Sequence, residues 1–286
     1  MKRLTSLFVV IAVLLLSGVS AFAGLAPTLY GVAIPITENM KRDETLSADM
    51  IEQAMFYSIN PETGAAFEIG PTGFGQCSPL DFEPETNELF AVCRRLEDIA
   101  EEKTNAIAGD VLIRLDMLTG QGIEVGPLNI MEEDRVSDIS FRWDGRLFAH
   151  VNARGIKSKG IDPEPLTRLE AARGNYLGII NTETGQLTMV GTTEYDDEFS
   201  AIGFSGKNNL YHGADNGEMG ALNMLSQTTG KATLLRTLIY PAQFIGRNII
   251  TSMDMETPGG DLFGVLYSED SAIEELEAAD TREEVV

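Results

Sequence analysis

Basic residues are scarce in this chain of 286 residues: 21 lysines and arginines stand against 44 aspartates and glutamates, for a formal net charge of −23. That balance argues against nucleic acid and against anionic membrane surfaces as partners, because both are held by clustered Lys and Arg. Histidine is scarcer still, with only His150 and His212. Gly-x-Ser-x-Gly, His-Glu-x-x-His, Cys-x-x-Cys and a phosphate-cradling glycine loop are all absent, so no common hydrolase, zinc or nucleotide signature is present. Asp-x-Asp-x-Asp-Gly is absent as well, which removes the EF-hand type of calcium loop. After residue 23 no stretch approaches the roughly 18 apolar residues of a membrane helix.

The first 23 residues have the character of a secretory signal peptide: Lys2 and Arg3, an apolar run over Leu7–Leu16, then the small-x-small site Ala21-Phe22-Ala23. No cysteine follows the apolar run, so a lipoprotein anchor is not expected. The expected mature protein is exported, periplasmic or extracellular, and free of the membrane once the peptide is removed. Removal of Lys2 and Arg3 takes the charge from −23 to −25. Such a charge permits cation binding, with calcium the natural candidate cofactor. A solvated acidic surface is the simpler account.

A repeat runs through the rest. Asn60-Pro61-Glu62-Thr63-Gly64 returns as Asp116-Met117-Leu118-Thr119-Gly120, as Asn181-Thr182-Glu183-Thr184-Gly185 and as Ser226-Gln227-Thr228-Thr229-Gly230. A short polar side chain that bonds backbone two residues on, followed by a glycine free to take φ > 0, predicts a hairpin turn. Period-two apolar runs flank each turn: Met55–Ile59, Val111–Leu115, Tyr176–Ile180 and Ala221–Leu225 before it, and Ala66–Ile69, Gly122–Val125, Leu187–Val190 and Ala232–Leu235 after it. Three outgoing runs end in a glycine six residues past the turn glycine, namely Gly70, Gly126 and Gly191, whereas the fourth has Arg236. At 25, 27, 25 and 32 residues past each turn glycine comes a Leu-Phe/Tyr run, starting at Leu89, Leu147, Leu210 and Leu262. A fifth copy is Leu29-Tyr30-Gly31-Val32. Ahead of all but the first of these lies a shorter run: Leu80-x-Phe82, Ile139-x-Phe141, Ile202-x-Phe204 and Met253-x-Met255. The unit is therefore four strands, A-B-C-D, joined as up-and-down hairpins, which predicts an all-β fold of four-stranded antiparallel β-propeller blades.

Phe56-Tyr57-Ser58-Ile59-Asn60-x-x-Thr63-Gly64, then Ile69-Gly70, then Leu89-Phe90-Ala91-Val92 resemble the secreted bacterial propeller repeats of the YVTN type. The YVTN tetrad itself is absent and the B-to-C connections are long. The resemblance spans residues 29–267 and implies architecture. It leaves function open, since such propellers serve as adhesins, enzymes and scaffolds. Five blades are expected, the terminal ones incomplete, in one domain over residues 24–270. Residues 271–286 form an acidic tail in which Ser271-Ala272-Ile273-Glu274 is a capping-box pattern.

Cys77 and Cys93 flank the A–B hairpin of one blade. If its turn centres on Glu85, Leu80 faces Phe90, Ser78 faces Val92 and Cys77 faces Cys93, close enough for a disulfide in an exported protein.

In this strand order the B-to-C and D-to-A connections share one end of the sheets. The former are long, over Pro35–Ala54, Arg95–Gly109 and Ala153–Asn175, with helical stretches expected at Ala48–Ala54 and Leu166–Ala172. The latter are acidic, and Asp134, Asp138, Asp196, Asp197 and Glu198 are the candidate metal or ligand contacts. His150 lies three positions after its strand-B leucine and His212 two after its own. That odd difference puts them on opposite sheet faces, which argues against a shared metal. Trp143, in an A–B turn, is a contact candidate whose simpler fate is packing on the blade edge. The leading functional expectation is a module that binds a protein or small-molecule ligand through the long-loop face. The alternatives are a propeller-fold hydrolase or lyase with a carboxylate or metal site at the channel mouth, and a structural surface protein.

Overall fold

The computed structural model describes residues 29–33, 53–101, 109–131, 134–153, 174–195, 200–215, 220–237, 248–255 and 262–268. The signal-peptide stretch, the stretches expected to be helical at Ala48–Ala54 (except for its last two residues) and Leu166–Ala172, and the acidic tail lie outside them. Seventeen strands follow one another: β1 Leu29–Ala33, β2 Met55–Ile59, β3 Ala66–Pro71, β4 Leu80–Phe82, β5 Leu89–Arg94, β6 Asp110–Leu115, β7 Gly122–Pro127, β8 Arg135–Phe141, β9 Leu147–Asn152, β10 Tyr176–Ile180, β11 Leu187–Thr192, β12 Ala201–Phe204, β13 Leu210–Asp215, β14 Gly220–Leu225, β15 Ala232–Thr237, β16 Asn248–Met255 and β17 Leu262–Ser268. Among the described residues there is one short helix, α1, which spans Leu96–Glu101 in the connection after β5. No helix among the described residues is long and apolar enough to cross a membrane.

All pairing is antiparallel between neighbours in sequence, and the strands sort into separate sheets. β4–β7, β8–β11 and β12–β15 are four-stranded blades, while β1–β3 is a blade of three strands. β16–β17 is a two-stranded ribbon. The fold is an all-β propeller with four blades, here numbered 1 to 4. The expectation of five blades is corrected: the C-terminal piece contributes a hairpin, and no C or D strand follows β17 among the described residues.

The Thr-Gly turns form as their chemistry requires. Asn60 Oδ1 accepts from the N–H groups of Glu62 and Thr63 at 2.9 and 3.1 Å. Asp116 Oδ1 accepts from Leu118 and Thr119 at 2.8 and 2.9 Å. The glycine then crosses to positive φ, +70° at Gly64 and +78° at Gly120. Each outgoing strand carries a bulge at the same place, opposite Phe56/Tyr57, Leu112/Ile113, Leu177/Gly178 and Leu222/Asn223. A bulge adds one residue and bends the strand, so the outermost strand turns toward the next blade one position before Gly70, Gly126 and Gly191.

Those glycines are where blades lock. The turn of each blade sits on the D-strand glycine of the blade before it: a Cβ at Gly126 would overlap the carbonyl oxygen of Thr184, and one at Gly185 would overlap the carbonyl of Gly126. Gly70 meets the Thr119–Gly120 turn and Gly191 the Thr229–Gly230 turn in the same way. Beside each contact runs a backbone bond across the seam: Gly122 N–H to Thr72 O at 2.9 Å, Leu187 N–H to Leu128 O at 3.0 Å and Ala232 N–H to Thr193 O at 3.3 Å. Arg236 takes the glycine's place only in blade 4, where no further Thr-Gly turn follows. At the other end of the stack, Gly64 has nothing within 4 Å of a built Cβ.

Three apolar clusters fill the seams. Ala54 and Phe56 of blade 1 join Leu89, Ala91 and Val111 of blade 2; Phe90 and Val92 join Ile139 and Phe141; Phe148 and Leu177 join Ile202, Phe204 and Leu210. An aromatic pair marks each seam, Tyr30–Phe82, Phe90–Phe141 and Phe148–Phe204, with centroids 5.6, 5.5 and 5.2 Å apart. The strand-B leucines show what a seam buries: Leu89, Leu147 and Leu210 are 0–1 % exposed, whereas Leu29, in the blade that follows no other, is 53 % exposed.

Cys77 and Cys93 form a disulfide, with Cα atoms 4.0 Å apart. The strand register beside it differs by one residue from the expected one: Leu80 pairs with Ala91 and Phe82 with Leu89. The reason is the turn. Six residues, 83–88, separate the strand ends, with Asn87 at φ 57°, so the hairpin centres between Glu85 and Thr86 and not on Glu85. The ladder recovers near the bridge, where Ser78 N–H donates to Val92 O at 3.0 Å.

Gly126→Ala is expected to lower unfolding stability by roughly 1–3 kcal/mol, the usual cost of overpacking, while Arg236→Ala stays within about 0.5 kcal/mol. Equilibrium urea melts of the two variants check this. Replacing Cys77 and Cys93 by serine removes a 16-residue cross-link and is expected to cost about 3 kcal/mol, read as a lowered midpoint in the same melts.

Candidate functional site

The innermost strand of each blade has one edge without a strand partner, and its N–H groups need acceptors. The neighbouring blade supplies them. Asp81 Oδ2 accepts from Phe141 N–H at 2.6 Å, and Ser140 Oγ, at the equivalent position one blade on, accepts from Phe204 N–H at 3.2 Å. Asp138 Oδ2 accepts from Ile202 N–H at 2.8 Å and from Met253 N–H at 3.4 Å, while its Oδ1 takes Ile139 N–H at 3.0 Å. One buried carboxylate thus ties blade 3 to blade 4 and to the ribbon. Burial pushes the Asp138 carboxyl well above the usual range, against the pull of those three backbone donors.

Buried polar side chains concentrate at the end of the sheets from which the B-to-C and D-to-A connections leave. Arg94 and Asn152 close their B strands there, and Asp110 opens its C strand. Asp134, Asn175, Thr193 and Ser200 lie in the segments just outside the strands at the same end. They are wired to one another and to the backbone: Asp110 Oδ2 accepts from Val136 N–H at 2.9 Å, Tyr176 O–H donates to Asp134 Oδ2 at 3.0 Å, and Thr193 Oγ1 donates to Asn175 O at 3.0 Å. Burial raises the Asp110 carboxyl, opposed by the Val136 N–H and by Arg135 and Arg94. Among the described residues the buried polar side chains near the opposite end are Ser140 and Ser205. That end is occupied by tight turns, with Trp143 42 % exposed and its Arg142 neighbour bonded to Gln227 Oε1 at 2.8 Å. Trp143 is therefore half out of the blade edge against which it was expected to pack.

Of the five candidate acidic contacts, Asp134 and Asp138 are described and both are buried, at 0 and 1 % exposure. Asp196, Asp197 and Glu198 lie outside the described residues. No group of three or more His, Cys, Asp or Glu able to hold a metal ion occurs among the described residues.

The histidines are placed otherwise than expected. His150 and His212 do lie on opposite faces of their own sheets, but in a propeller the face of one blade meets the opposite face of the next. The odd difference in position therefore brings them together. Their rings stack with centroids 4.9 Å apart and planes 26° from parallel, both fully buried in the seam between blades 3 and 4. A shared metal still does not fit, because the nitrogen lone pairs lie in the ring planes and stacked planes do not converge at the roughly 2.0–2.1 Å of a zinc–nitrogen bond. His150 Nδ1 lies 2.7 Å from Ser137 Oγ, which also donates to His150 O at 3.3 Å. His212 Nδ1 faces Asn223 Nδ2 at 3.4 Å, and Asn223 Oδ1 accepts from Tyr195 O–H at 2.9 Å. The Nε2 atom of each ring is buried with no hydrogen-bond partner.

Sequence reasoning missed three of these features. α1 carries the signal of apolar residues at Leu96, Ile99 and Ala100 with Glu97 and Asp98 in its first turn. Asp81 and Ser140 each precede the aromatic residue of an A strand, a spacing visible in the repeat. For the histidine contact, the signal was the odd offset itself.

No family model matches the chain, and no curated protein matches it. Solved structures do. A β-xylosidase, RS223, aligns over 84 % of this chain and 83 % of its own at 12 % identity, with a TM-score of 0.52. TolB from Acinetobacter baumannii aligns over 79 % of this chain at 9 % identity and a TM-score of 0.41, and the match spans 49 % of the TolB chain. The Dos1 propeller aligns over 74 % of this chain and 49 % of its own at 12 % identity and a TM-score of 0.39. At these identities the likeness concerns the fold alone. The class of protein is thus a β-propeller, a class defined by its blades and not by one chemistry.

Asp138→Ala leaves two backbone donors of neighbouring strands without their acceptor and is expected to cost roughly 1–3 kcal/mol, the penalty of an unsatisfied buried group. Ser140→Ala, which strands one donor, is expected to fall at the low end of that range. Chemical denaturation of both variants at pH 7 tests the ordering.

Proposed function

We propose that the protein is exported and works as a binding module, taking a protein or small-molecule ligand on the long-loop face of the propeller. One observation carries this reading: among the described residues, buried polar and charged side chains gather at that end, with Ser140 and Ser205 near the other. Buried polar groups are costly and are kept where they hold loops or ligands in place. The disulfide and the lack of a membrane-crossing helix among the described residues are compatible with export. The finer likeness to YVTN-type repeats belongs to this proposal too, as does closure of the ring through the β16–β17 ribbon.

Calcium is part of the same reading. Asp138 is engaged by three backbone N–H groups, so the remaining candidates for cation contact are Asp134, Asp196, Asp197 and Glu198 of the D-to-A connections. A thermal melt of the mature protein in EDTA and then in calcium tests it. Calcium at 100 times its dissociation constant stabilises a fold by about 2.7 kcal/mol, and Asp196→Asn with Asp197→Asn is expected to abolish the rise. No rise in the unaltered protein would end the calcium reading. Ligands are then screened on the same assay, xylosides included because of the fold shared with a β-xylosidase.

A further inference from the structure

We propose that the His150–His212 stack makes the seam between blades 3 and 4 an acid-sensitive joint that opens locally when either imidazole takes up a proton. The chain has two histidines, and both sit in this one contact. The other two seams contain none.

The geometry leaves no place for a proton. Ser137 Oγ is 2.7 Å from His150 Nδ1 and, of the two ring nitrogens, serves that one alone, while His150 Nε2 is buried without a hydrogen-bond partner, so the second N–H of a protonated ring would have no acceptor. Asn223 Oδ1 is taken by Tyr195 O–H, so Asn223 Nδ2 points to His212 Nδ1 and the ring proton of His212 is on Nε2. A proton added to either ring creates a cation against another imidazole at 4.9 Å. The groups facing the pair do not compensate. From β8 comes the hydroxyl of Ser137, from β14 the amide of Asn223, and from the segment after β11 the edge of the Tyr195 ring, 5.5 Å from His212. The nearest acid, Asp138, stands opposite His150 in the ladder and is turned to the N–H groups of Ile202, Ile139 and Met253, and burial raises its carboxyl well above the usual range, so it is no fixed anion for the ring at acid pH.

Burial holds both imidazoles neutral: it depresses His150 well below the ordinary histidine range, with His212 adding to the effect, and depresses His212 to about 3. Depressed folded-state values mean that the stabilisation is complete above the unfolded-state value near 6.5 and is lost as pH falls below it. By linkage His212, held at about 3, lowers the closing constant of the seam about thirtyfold at pH 5 relative to pH 8, and His150 acts in the same direction. Asp138 and Asp110, with raised values, act in the opposite direction, so the comparison that isolates the histidines is between the native chain and variants at His150 and His212.

The test is hydrogen–deuterium exchange on the full mature chain at pH 7.5 and pH 5, corrected for intrinsic exchange. The expected result is lost protection in β9, β12, β13 and β14 at pH 5 with β5–β7 unchanged, and no such loss in His150→Phe/His212→Phe, which keeps two rings and removes both titrations. Loss spread evenly over all blades, or the same loss in the double variant, would overturn the proposal. If the double variant does not fold, the imidazole resonances of the native chain decide. Rings that stay neutral down to pH 5 until protection is lost support the joint, and rings that titrate near pH 6.5 within an unchanged fold refute it.

Discussion

A turn resting on a glycine sets the spacing of this propeller. The Thr-Gly turn of one blade lies so close to the outermost strand of the blade before it that no side chain fits between them. The backbone bonds from Gly122, Leu187 and Ala232 run beside those contacts. Once the outer strands are fixed at that separation, the inner halves of the sheets are held at aromatic-contact distance, and the three seam clusters follow. The two ends of the stack obey the same rule by exception. Arg236 stands where no further Thr-Gly turn follows, and the Gly64 turn stands where, among the described residues, no blade precedes it.

The inner edge imposes the second constraint. Strands at the centre of a propeller lack a partner on one side, and here the adjoining blade reaches across with Asp81, Ser140 and Asp138. Asp138 reads in the sequence as a metal or ligand contact, yet its oxygens are used to seal the backbone. The polar end beneath the long connections is different in kind. Its side chains are buried with partners of both charges, Arg94 and Arg135 against Asp110, which gives that face a rigid base for whatever the connections present.

Much of this was legible in the sequence because it is local. Each hairpin turn is written in five residues, and each strand in a period-two run. The disulfide followed from strand pairing even though the register around it was one residue off, since the Cys77–Cys93 bridge lies beyond the irregularity next to Leu80. What was not legible lies between repeats. Asp81 reaches a residue 60 positions away and Asp138 one 64 positions away, and nothing in a single repeat shows which face meets which. His150 and His212 make the point: their faces were read correctly, but their meeting was missed because each blade had been treated as an isolated sheet. The blade count failed for a related reason, since an A–B pair reads the same in a complete blade and in a ribbon. The candidate acids Asp196, Asp197 and Glu198 stand in a connection, where no periodicity fixes a position.

The most direct measurement of the central claim is residue-resolved amide exchange by NMR at neutral pH for Gly122, Leu187 and Ala232. If turn-on-glycine seams hold the blades together, these three amides exchange only through global unfolding, while Ala66, at the matching place in blade 1 with no preceding blade among the described residues, exchanges fast. Fast exchange at all four, with the strand interiors still protected, would mean that the blades stand as independent sheets and would contradict the account.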